Sequence, residues 1–387
     1  MITMLTAHTE QIDEPDLAVE EILAQLRPAE TLLAHSVGIV SCFADYVETE
    51  VVSALSDALS FPIVGTTTIA NAVPGAVGNM LLTLTVLTSD GVQFSCGLSD
   101  AITAEDIAPI QNGYARASEG YADSPALMLV FAPLLMNVGG DFYIESLTKV
   151  SGGVPAFGTI VCDHHNDYHA AQVLHGGMAY YDRMAYVLLY GDIQPAFMIA
   201  NLSDEKVFPE KGIVTAAKGN QLQTVNGVPV LEYLRSLGMS SNENGVLEGV
   251  NAFPFIVDYN DGTVPVVRVM FHITEEGYAV CGGDIPVGAT LSVGSIDAGQ
   301  VLSTTATTLR GMESAGKKDC VLMFSCIGRY FALDYDPMAE SRAVSEHPWG
   351  DVPFSLSYSG GELCPVYNAD GNVSNRNHND TFIVCML

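Results

Sequence analysis

The chain has 387 residues, of which 48% are hydrophobic and 16% are charged, a composition typical of ordered proteins with a sizeable core. Its 45 acidic and 15 basic residues give a formal net charge of −30, which argues against nucleic acid or an anionic membrane surface as a partner. No apolar run is long enough to span a membrane, no secretory signal is visible, and the 8 cysteines form no CxxC pair. We therefore expect a cytoplasmic protein with free thiols.

The N-terminal part predicts an acidic segment followed by a first strand–helix–strand unit. Apolar residues at helical spacing predict one short helix within residues 1–32. SVGIVSCF and FPIVGTTT predict two buried strands, and ETEVVSALSDALS predicts the helix between them. NAVPGAVG predicts a loop. MLLTLTVLTSD and VQFSCGL predict two further strands that form a hairpin across Ser89-Asp90-Gly91.

The same order of elements recurs twice. ALMLVFAP, DFYIESLTKVSGG and VPAFGTIV predict a second unit, followed by the polar loop CDHHNDYH. CVLMFSCIGRY, VPFSLSYSGG and DTFIVCML predict a third unit, whereas residues 195–312 show short strands, an Asn226-Gly227 turn and a β-meander. We predict a mixed α/β or α+β fold of two domains, in which repeated strand–helix–strand–loop–strand units form mixed sheets covered by helices.

Short stretches in a fixed order resemble one known family. VNGVPVLEYL, GGDIPVG, SCIGRY, YSGGE and HNDTFIV are similar to the C-terminal half of the FIST family of sensory proteins. GIVSCFADY, VGTTT and MLLTLTVL resemble its N-terminal half. The resemblance implies an N-type domain over residues 33–222, with two of the units, and a C-type domain over residues 223–387, with the β-meander and the third unit. The acidic helical segment 1–32 precedes them.

The resemblance also implies a function. It indicates an intracellular sensor of bacteria or archaea that binds a small molecule, such as an amino acid or a similar metabolite. Family members are often fused to signalling domains, and this sequence shows none, so we expect it to signal through a separate partner protein. No motif for a nucleotide or another cofactor is present, and we expect neither a cofactor nor an enzymatic activity.

Candidate ligand-binding residues follow from the loops after the second strand of each unit, at residues 65–75, 158–167 and 358–365. Ligands gather at the carboxyl ends of such strands, and glycine lets a backbone approach a ligand closely, although ordinary turn chemistry explains each loop as well. We expect the loops to face one cavity. The candidate residues are Thr66, Thr67, Asp163, Cys326, Arg329, Tyr358, Gly360, Glu362 and Asn379.

Arg329 is notable because this acidic chain has few cations. A guanidinium can bind a ligand carboxylate through two parallel hydrogen bonds. The alternative is an internal ion pair with Glu340 or Glu362. Glu362 can bind a ligand amine and Tyr358 can stack on a ligand, so a zwitterionic amino acid or a short peptide would suit Arg329 and Glu362 if they face each other.

Two other functions stay open. An enzyme of unknown class would use Cys326 or the loop 162–169 as its chemical group, although a core thiol is the commoner role for such a cysteine. The second alternative function is an acidic interaction module that binds a basic protein.

The loop 162–169 carries residue types that bind transition metals, but their spacing fits no standard zinc motif. Those residues are Cys162, Asp163, His164, His165, Asp167 and His169.

Overall fold

The computed structural model describes residues 1–165, 167–240, 247–314, 319–368, 371 and 373–387. Its strands form three six-stranded sheets of mixed direction and one eight-stranded antiparallel sheet, with helices packed against them. The predicted mixed α+β fold is therefore confirmed. No helix in the described residues is long and apolar enough to cross a membrane.

The first unit forms the first sheet. Its central strand β2 runs parallel to β3 and antiparallel to β6, and the outer strand β1 pairs with β6. The predicted helix in residues 1–32 is α1, but the prediction missed β1, a threonine-rich edge strand with little apolar signal. The elements are β1 Thr3–Thr9, α1 Pro15–Leu26, α2 Pro28–Thr31, β2 His35–Cys42, α3 Asp45–Glu48, α4 Val51–Ala58, β3 Ile63–Thr67, β4 Asn71–Val73, β5 Ala76–Gly78 and β6 Leu82–Ser89.

The second unit forms the second sheet. Strand β8 is parallel to β9 and antiparallel to β12, and β7 pairs with β12. The predicted hairpin across Ser89-Asp90-Gly91 is therefore wrong. The turn exists, since the Gly91 and Val92 amides donate to Ser89 Oγ, but it carries the chain from one sheet to the next. The elements are β7 Gln93–Leu98, α5 Ala108–Ser118, β8 Leu127–Ala132, α6 Gly140–Ser151, β9 Ala156–Ile160, β10 Val173–His175, β11 Met178–Tyr180 and β12 Ala185–Tyr190.

An antiparallel sheet is inserted after the next strand, β13. We call strands β14 to β21 with helix α7 the inserted sheet; its apolar side chains form a core of their own. Asn226 and Gly227 have φ of 54° and 76°, as the predicted turn requires. The elements are β13 Ala196–Ala200, β14 Gly212–Lys218, β15 Gln221–Val225, β16 Val228–Pro229, α7 Val230–Ser236, β17 Phe255–Asp258, β18 Val266–Arg268, β19 Met270–Ile273, β20 Ala279–Cys281 and β21 Thr290–Val293.

The third unit forms the third sheet. Strand β22 is parallel to β23 and antiparallel to β26, and β13 pairs with β26 at the edge. The pairing is therefore the same as in the first two sheets. The elements are α8 Ala298–Ser314, β22 Val321–Cys326, α9 Ile327–Ala332, α10 Ala339–Ser345, β23 Phe354–Ser359, β24 Gly361–Tyr367, β25 Val373–His378 and β26 Phe382–Met386.

Exchanged hairpins join the three sheets into a ring. The hairpin β4–β5 of the first unit pairs with β23, β24–β25 of the third unit with β9, and β10–β11 of the second unit with β3. The predicted loops at residues 71–78 and 358–365 are therefore largely strands, whose backbone groups are satisfied by a neighbouring unit. Ile39, Leu129 and Leu322, one from each sheet, lie in one central core.

Candidate functional site

The carboxyl ends of β3, β9 and β23 meet at one place, which we call the loop junction. Thr67 Oγ1 donates to the Cys162 carbonyl oxygen at 2.9 Å, and Thr68 Oγ1 donates to the Tyr358 carbonyl oxygen at 2.9 Å. The Gly360 amide donates to the carbonyl oxygen of Ile160, the last residue of β9, at 2.8 Å. The three predicted loops thus lie together, but their polar groups bind one another instead of lining an open space.

Two further candidates from the N-terminal half bind within their own loops. Thr66 Oγ1 donates to the carbonyl oxygen of Thr67 at 2.7 Å. The buried Asp163 carboxylate accepts the amides of His165 at 2.7 Å and Ala170 at 2.5 Å. Asp163 therefore closes its own loop, and both of its oxygens are used.

The histidines of this loop form a stack of rings. Ring centroids are 4.0 Å apart for Phe43–His164, 3.9 Å for His164–His165 and 4.0 Å for His165–His169. Asp167 Oδ1 lies 2.7 Å from His169 Nδ1, and this hydrogen bond raises the pKa of the His169 imidazole. Burial and the neighbouring His165 lower the pKa of His164. Within the ranges described above, no three His, Cys, Asp or Glu side chains are placed to hold a metal ion.

Arg329 is buried, and internal partners occupy its guanidinium. Its Nη2 and Nε donate to Glu340 Oε1 at 2.6 and 3.1 Å. The same Nη2 donates to Thr305 Oγ1 at 2.7 Å and to the Val301 carbonyl oxygen at 3.0 Å. Of the two internal partners that the sequence left open for Arg329, the structure pairs it with Glu340 and not with Glu362.

Tyr358 belongs to this same network. Its hydroxyl donates to Glu340 Oε2 at 3.2 Å, and Ser325 Oγ donates to that oxygen at 2.6 Å. Burial and the Glu340 charge raise the pKa of Tyr358 well above its ordinary value. The buried charges of Arg329 and Glu340 therefore compensate each other within the protein. Their network connects strands β22 and β23 to helices α8 and α10.

Glu362, Cys326 and Asp380 form a second buried cluster beside the loop junction. Thr381 Oγ1 donates to Glu362 Oε2 at 2.8 Å, but Glu362 Oε1 and Asp380 Oδ2 have no partner among the described residues. Burial raises the pKa of Glu362 to about 8 and that of Asp380 to about 7. The Cys326 thiol lies against Glu362, and burial raises its pKa well above the ordinary value. A thiol held protonated is a poor nucleophile.

Asn379 connects this cluster to the inserted sheet. Its Nδ2 donates to the His378 carbonyl oxygen at 3.0 Å. Its Oδ1 packs so closely on Gly282 that a Cβ there would lie 2.4 Å away. Asn379 thus has the loop-bracing role that is common for an asparagine before a strand.

An open cavity lies elsewhere, between the inserted sheet and the ring of units. Its volume is about 320 Å³. Helix α6 and strand β25 form one wall, and the inserted sheet forms the other. Its polar lining residues are Asp141, Glu145, Tyr259, Asp284, Asn375 and Arg376.

Behind the cavity, Arg268 fixes the two walls to each other. Its fully buried guanidinium donates to Asp141 Oδ1 at 2.8 Å, to the Tyr259 hydroxyl at 2.7 Å and to the Asn377 carbonyl oxygen at 2.8 Å. Asp141 Oδ2 accepts the Asp284 amide at 2.8 Å. These bonds compensate the charges of Arg268 and Asp141, and they connect α6 and β25 to the inserted sheet.

The charges on the cavity walls are of both signs. Arg376 lies 4.9 Å over the Tyr259 ring and pairs with Asp261, and its buried Nε has no partner in the described part of the chain. Partial burial and the Asp141 charge raise the pKa of Asp284 to about 6, and the same two causes raise the pKa of Glu145. The cavity walls therefore carry one cation, which is paired with Asp261, and two carboxyl groups that form no ion pair in the described residues.

Sequence reasoning missed every residue of this cavity, because the lining comes from separate segments of the chain. One signal was available. Arg268 stands alone inside the apolar run VPVVRVMF, and a charge in a buried strand requires a buried partner. That partner, Asp141, is 127 residues away and cannot be identified from the pattern.

The fold is a mixed α+β arrangement of three linked units and an inserted sheet, with a cavity between them. The sequence matches the family model of the FIST N domain over residues 36–228 and that of the FIST C domain over residues 230–365. The chain belongs to the FIST family, as its motifs predicted. FIST domains are considered small-ligand sensory domains of signalling proteins.

Other comparisons add little. No curated protein matches the sequence. Among solved structures, the crystal structure of cyanuric acid hydrolase from A. caulinodans matches with 10% identity and a TM-score of 0.38, and the match covers 100% of this chain and 99% of that one. A similarity this low carries no functional information.

Proposed function

We propose that the protein is a cytoplasmic sensor that binds an amino acid or a similar small metabolite in the cavity between α6, β25 and the inserted sheet. The cavity itself carries the proposal. Its volume of about 320 Å³ suits a small ligand, and its walls combine apolar side chains with a few charged groups. Family membership supports small-ligand sensing, and the free thiols of all 8 cysteines support a reducing compartment.

The wall residues can recognise both ends of a zwitterion. The guanidinium of Arg376, which lines the cavity, is a donor for a ligand carboxylate. Asp284 and Glu145 are acceptors for a ligand ammonium group, and no described cation lies within ion-pair distance of either. Within the docked arrangement, Arg268 holds the two walls in place, which lowers the entropic cost of binding to that arrangement.

Signalling would follow from the position of the cavity. A ligand that touches both walls binds the docked arrangement of the inserted sheet better than a separated one, and so shifts the population toward it. We expect a separate protein to recognise the docked surface.

A thermal-shift and calorimetric screen of amino acids tests the proposal. We expect a ligand at about a hundredfold excess over its Kd to raise Tm by roughly 3 °C or more. Arg376→Ala should abolish the shift. Arg342→Ala is the matched control, because Arg342 of α10 forms a similar surface pair with Asp336 and neither residue lines the cavity. If no amino acid or related metabolite stabilises the wild-type protein, the proposal fails.

The buried cluster of Glu362, Cys326 and Asp380 beside the loop junction is a second candidate location, favoured by the unpartnered Glu362 Oε1 and Asp380 Oδ2. A ligand amine that reached them would satisfy both oxygens. In the same screen, Glu362→Gln would then abolish stabilisation by the ligand, and Glu145→Gln would leave it intact. The reverse result assigns the ligand to the cavity.

A further inference from the structure

We infer that residues 162–165 and 167–172 form a lid over the buried cluster of Glu362, Cys326 and Asp380, and that a stack of aromatic rings holds this lid closed. We call these residues the lid loop and the buried cluster the acid–thiol cluster. The inference goes beyond the proposed function, because it assigns a movable element to the loop junction and its test needs no ligand.

Both ends of the lid loop are fixed by one residue, Thr67. Its hydroxyl donates to the Cys162 carbonyl oxygen at 2.9 Å and accepts the Gln172 amide at 2.8 Å. Its amide donates to the Gln172 carbonyl oxygen at 3.0 Å. This is the geometry of an Ω-loop, a compact loop whose ends lie close together and whose own side chains pack its interior.

The hydrogen bonds described between these two ends stay inside the loop. The Asp163 carboxylate accepts the amides of His165 at 2.7 Å and Ala170 at 2.5 Å. The Tyr168 amide donates to the His165 carbonyl oxygen, and the Ala171 amide donates to that of Tyr168, each at 3.1 Å. Because no hydrogen bond described between the two ends reaches another part of the chain, the loop can move away without breaking one.

The loop is held to the first unit by the packing of aromatic rings. The His164 ring stacks on Phe43, which follows β2, with centroids 4.0 Å apart, and on His165 at 3.9 Å. The buried His164 Nδ1 has no hydrogen-bond partner in the described residues. Ring packing therefore fixes His164 in place, and we call its contact with Phe43 the latch.

The acid–thiol cluster lies beneath the lid loop. The Tyr168 ring packs on the small apolar cluster that contains Ile327, the residue next to Cys326. The Cys326 amide donates to the Thr381 carbonyl oxygen at 2.9 Å, and Thr381 Oγ1 donates to Glu362 Oε2 at 2.8 Å. The Cys326 thiol therefore reports on access to this cluster.

The closed lid leaves polar groups of the cluster unsatisfied. Asp380 Oδ1 and Cys326 Sγ both lie beside Gly328, where a Cβ would be 2.1 and 3.7 Å from them. Glu362 Oε1 and Asp380 Oδ2 are buried and have no partner among the residues described. Such groups are rare because each costs free energy. Opening would give both oxygens water or the donors of an entering molecule, such as an ammonium group.

The first unit shows what a purely structural residue does at this place. Asn71 is the counterpart of Glu362, because each lies in the first strand of an exchanged hairpin and faces the equivalent strand of the next unit. Asn71 Nδ2 donates to the carbonyl oxygens of Ser41 at 3.1 Å and Leu81 at 3.0 Å, and its Oδ1 accepts the Ser357 hydroxyl at 2.9 Å. An amide satisfies its surroundings there, so an unsatisfied carboxyl group in the third unit indicates a site that opens.

Iodoacetamide labelling of the native full chain, followed by peptide mass spectrometry, tests the inference. When the lid closes faster than the thiol reacts, the labelling rate of Cys326 follows the population of the open lid. His164→Ala removes the ring that stacks on Phe43 and should speed this labelling by about tenfold. His164→Phe keeps a ring and should label at nearly the wild-type rate.

Two controls separate lid opening from unfolding. Cys385, which is buried in the central core, should keep its labelling rate in every variant. His347→Ala removes a histidine ring that packs on Trp349 at 4.8 Å, outside the lid loop, and should leave the Cys326 rate unchanged. If His164→Ala leaves Cys326 as slow as in the wild type, or speeds Cys326 and Cys385 equally, the inference is overturned.

Hydrogen exchange of the wild-type protein is a second measurement, which needs no substitution. The amides of residues 163–165 and 167–171 should exchange faster than those of β3 and β9, because their hydrogen bonds stay within the loop. Exchange as slow as that of the two strands would also overturn the lid. Neither result bears on the cavity of the proposed function, because no ligand is present in these experiments.

Discussion

At the scale of single residues, the chain places two of its arginines in its interior. Arg268 and Arg329 are both fully buried, and each is held by one carboxylate and several neutral acceptors. Removing one partner of such a pair leaves an uncompensated buried charge, which costs about 3–5 kcal/mol. The two arginines are therefore structural.

Glu362 provides a prediction about pH. Its carboxyl group has a pKa of about 8 in the folded chain and 4.5 as the ordinary value, so the folded state holds the proton more tightly. The free energy of unfolding should therefore fall as pH rises from about 4.5 to about 8, by a few kcal/mol in total. Glu362→Gln should flatten this fall in urea unfolding measured across that range.

The control for this prediction is Glu232→Gln, which removes an exposed carboxylate. It should keep the wild-type pH profile. The pKa of Asp380 is also raised, to about 7, so its titration lowers the free energy of unfolding over part of the same pH range. The Glu362→Gln variant should therefore keep some pH dependence. An unchanged profile in Glu362→Gln would mean that the buried carboxyl group titrates normally.

At the scale of elements, the central strands could be predicted and the exchanged hairpins could not. SVGIVSCF, ALMLVFAP and CVLMFSC are continuous apolar runs, which is what burial on both faces requires. The strands of hairpins β4–β5 and β10–β11 have three residues each, and those of β24–β25 have seven and six. The partners of all three hairpins lie in other units. A strand that is defined mainly by such a distant partner has little local signal.

The same limit explains the site. The loops after β3, β9 and β23 could be placed together from the order of the elements, since they occupy equivalent positions. That their hydroxyl and amide groups bind one another could not be predicted, because the contacts depend on the ring of sheets. The cavity depends on the docking of the inserted sheet, which no local pattern specifies.

Glycines in these strands also have a different role from the one expected. A Cβ on Gly158 would lie 1.9 Å from the Val130 carbonyl oxygen, so glycine permits β9 to approach β8, not a ligand. Gly158→Ala should lower the free energy of unfolding by about 3 kcal/mol, because the neighbouring backbone cannot yield. Urea unfolding measures the loss.

Gly78→Ala is the matched control for this change. Gly78 is in the hairpin strand β5, and a Cβ there would meet only Leu81, at an ordinary 3.6 Å. The free energy of unfolding of the Gly78→Ala variant should stay within about 0.5 kcal/mol of the wild-type value. Equal effects of the two substitutions would contradict the steric explanation.

At the scale of the whole molecule, the inserted sheet is a body with its own core that is attached through polar contacts. Its core residues all lie between Val214 and Val293, whereas the contacts beside the cavity are hydrogen bonds and ion pairs centred on Arg268. Polar contacts exchange readily with water, so this joint should open at a lower free energy than either core. A sensor whose ligand binds at such a joint can change its docked population without unfolding.

Arg268→Ala tests this organisation by hydrogen exchange. We expect faster amide exchange at the joint, in residues 375–379 and 141–145, because the Asn377 carbonyl oxygen and Asp141 lose their shared donor. Strands β17 and β21 should stay protected, since Phe255, Val257 and Leu291 remain buried in the separate core. Arg268→Met combined with Asp141→Asn should restore part of the protection, because no unpaired charge is left. Faster exchange spread evenly over β2, β8 and β22 would instead mean that Arg268 stabilises the whole fold, and the inserted sheet would then not be an independent body.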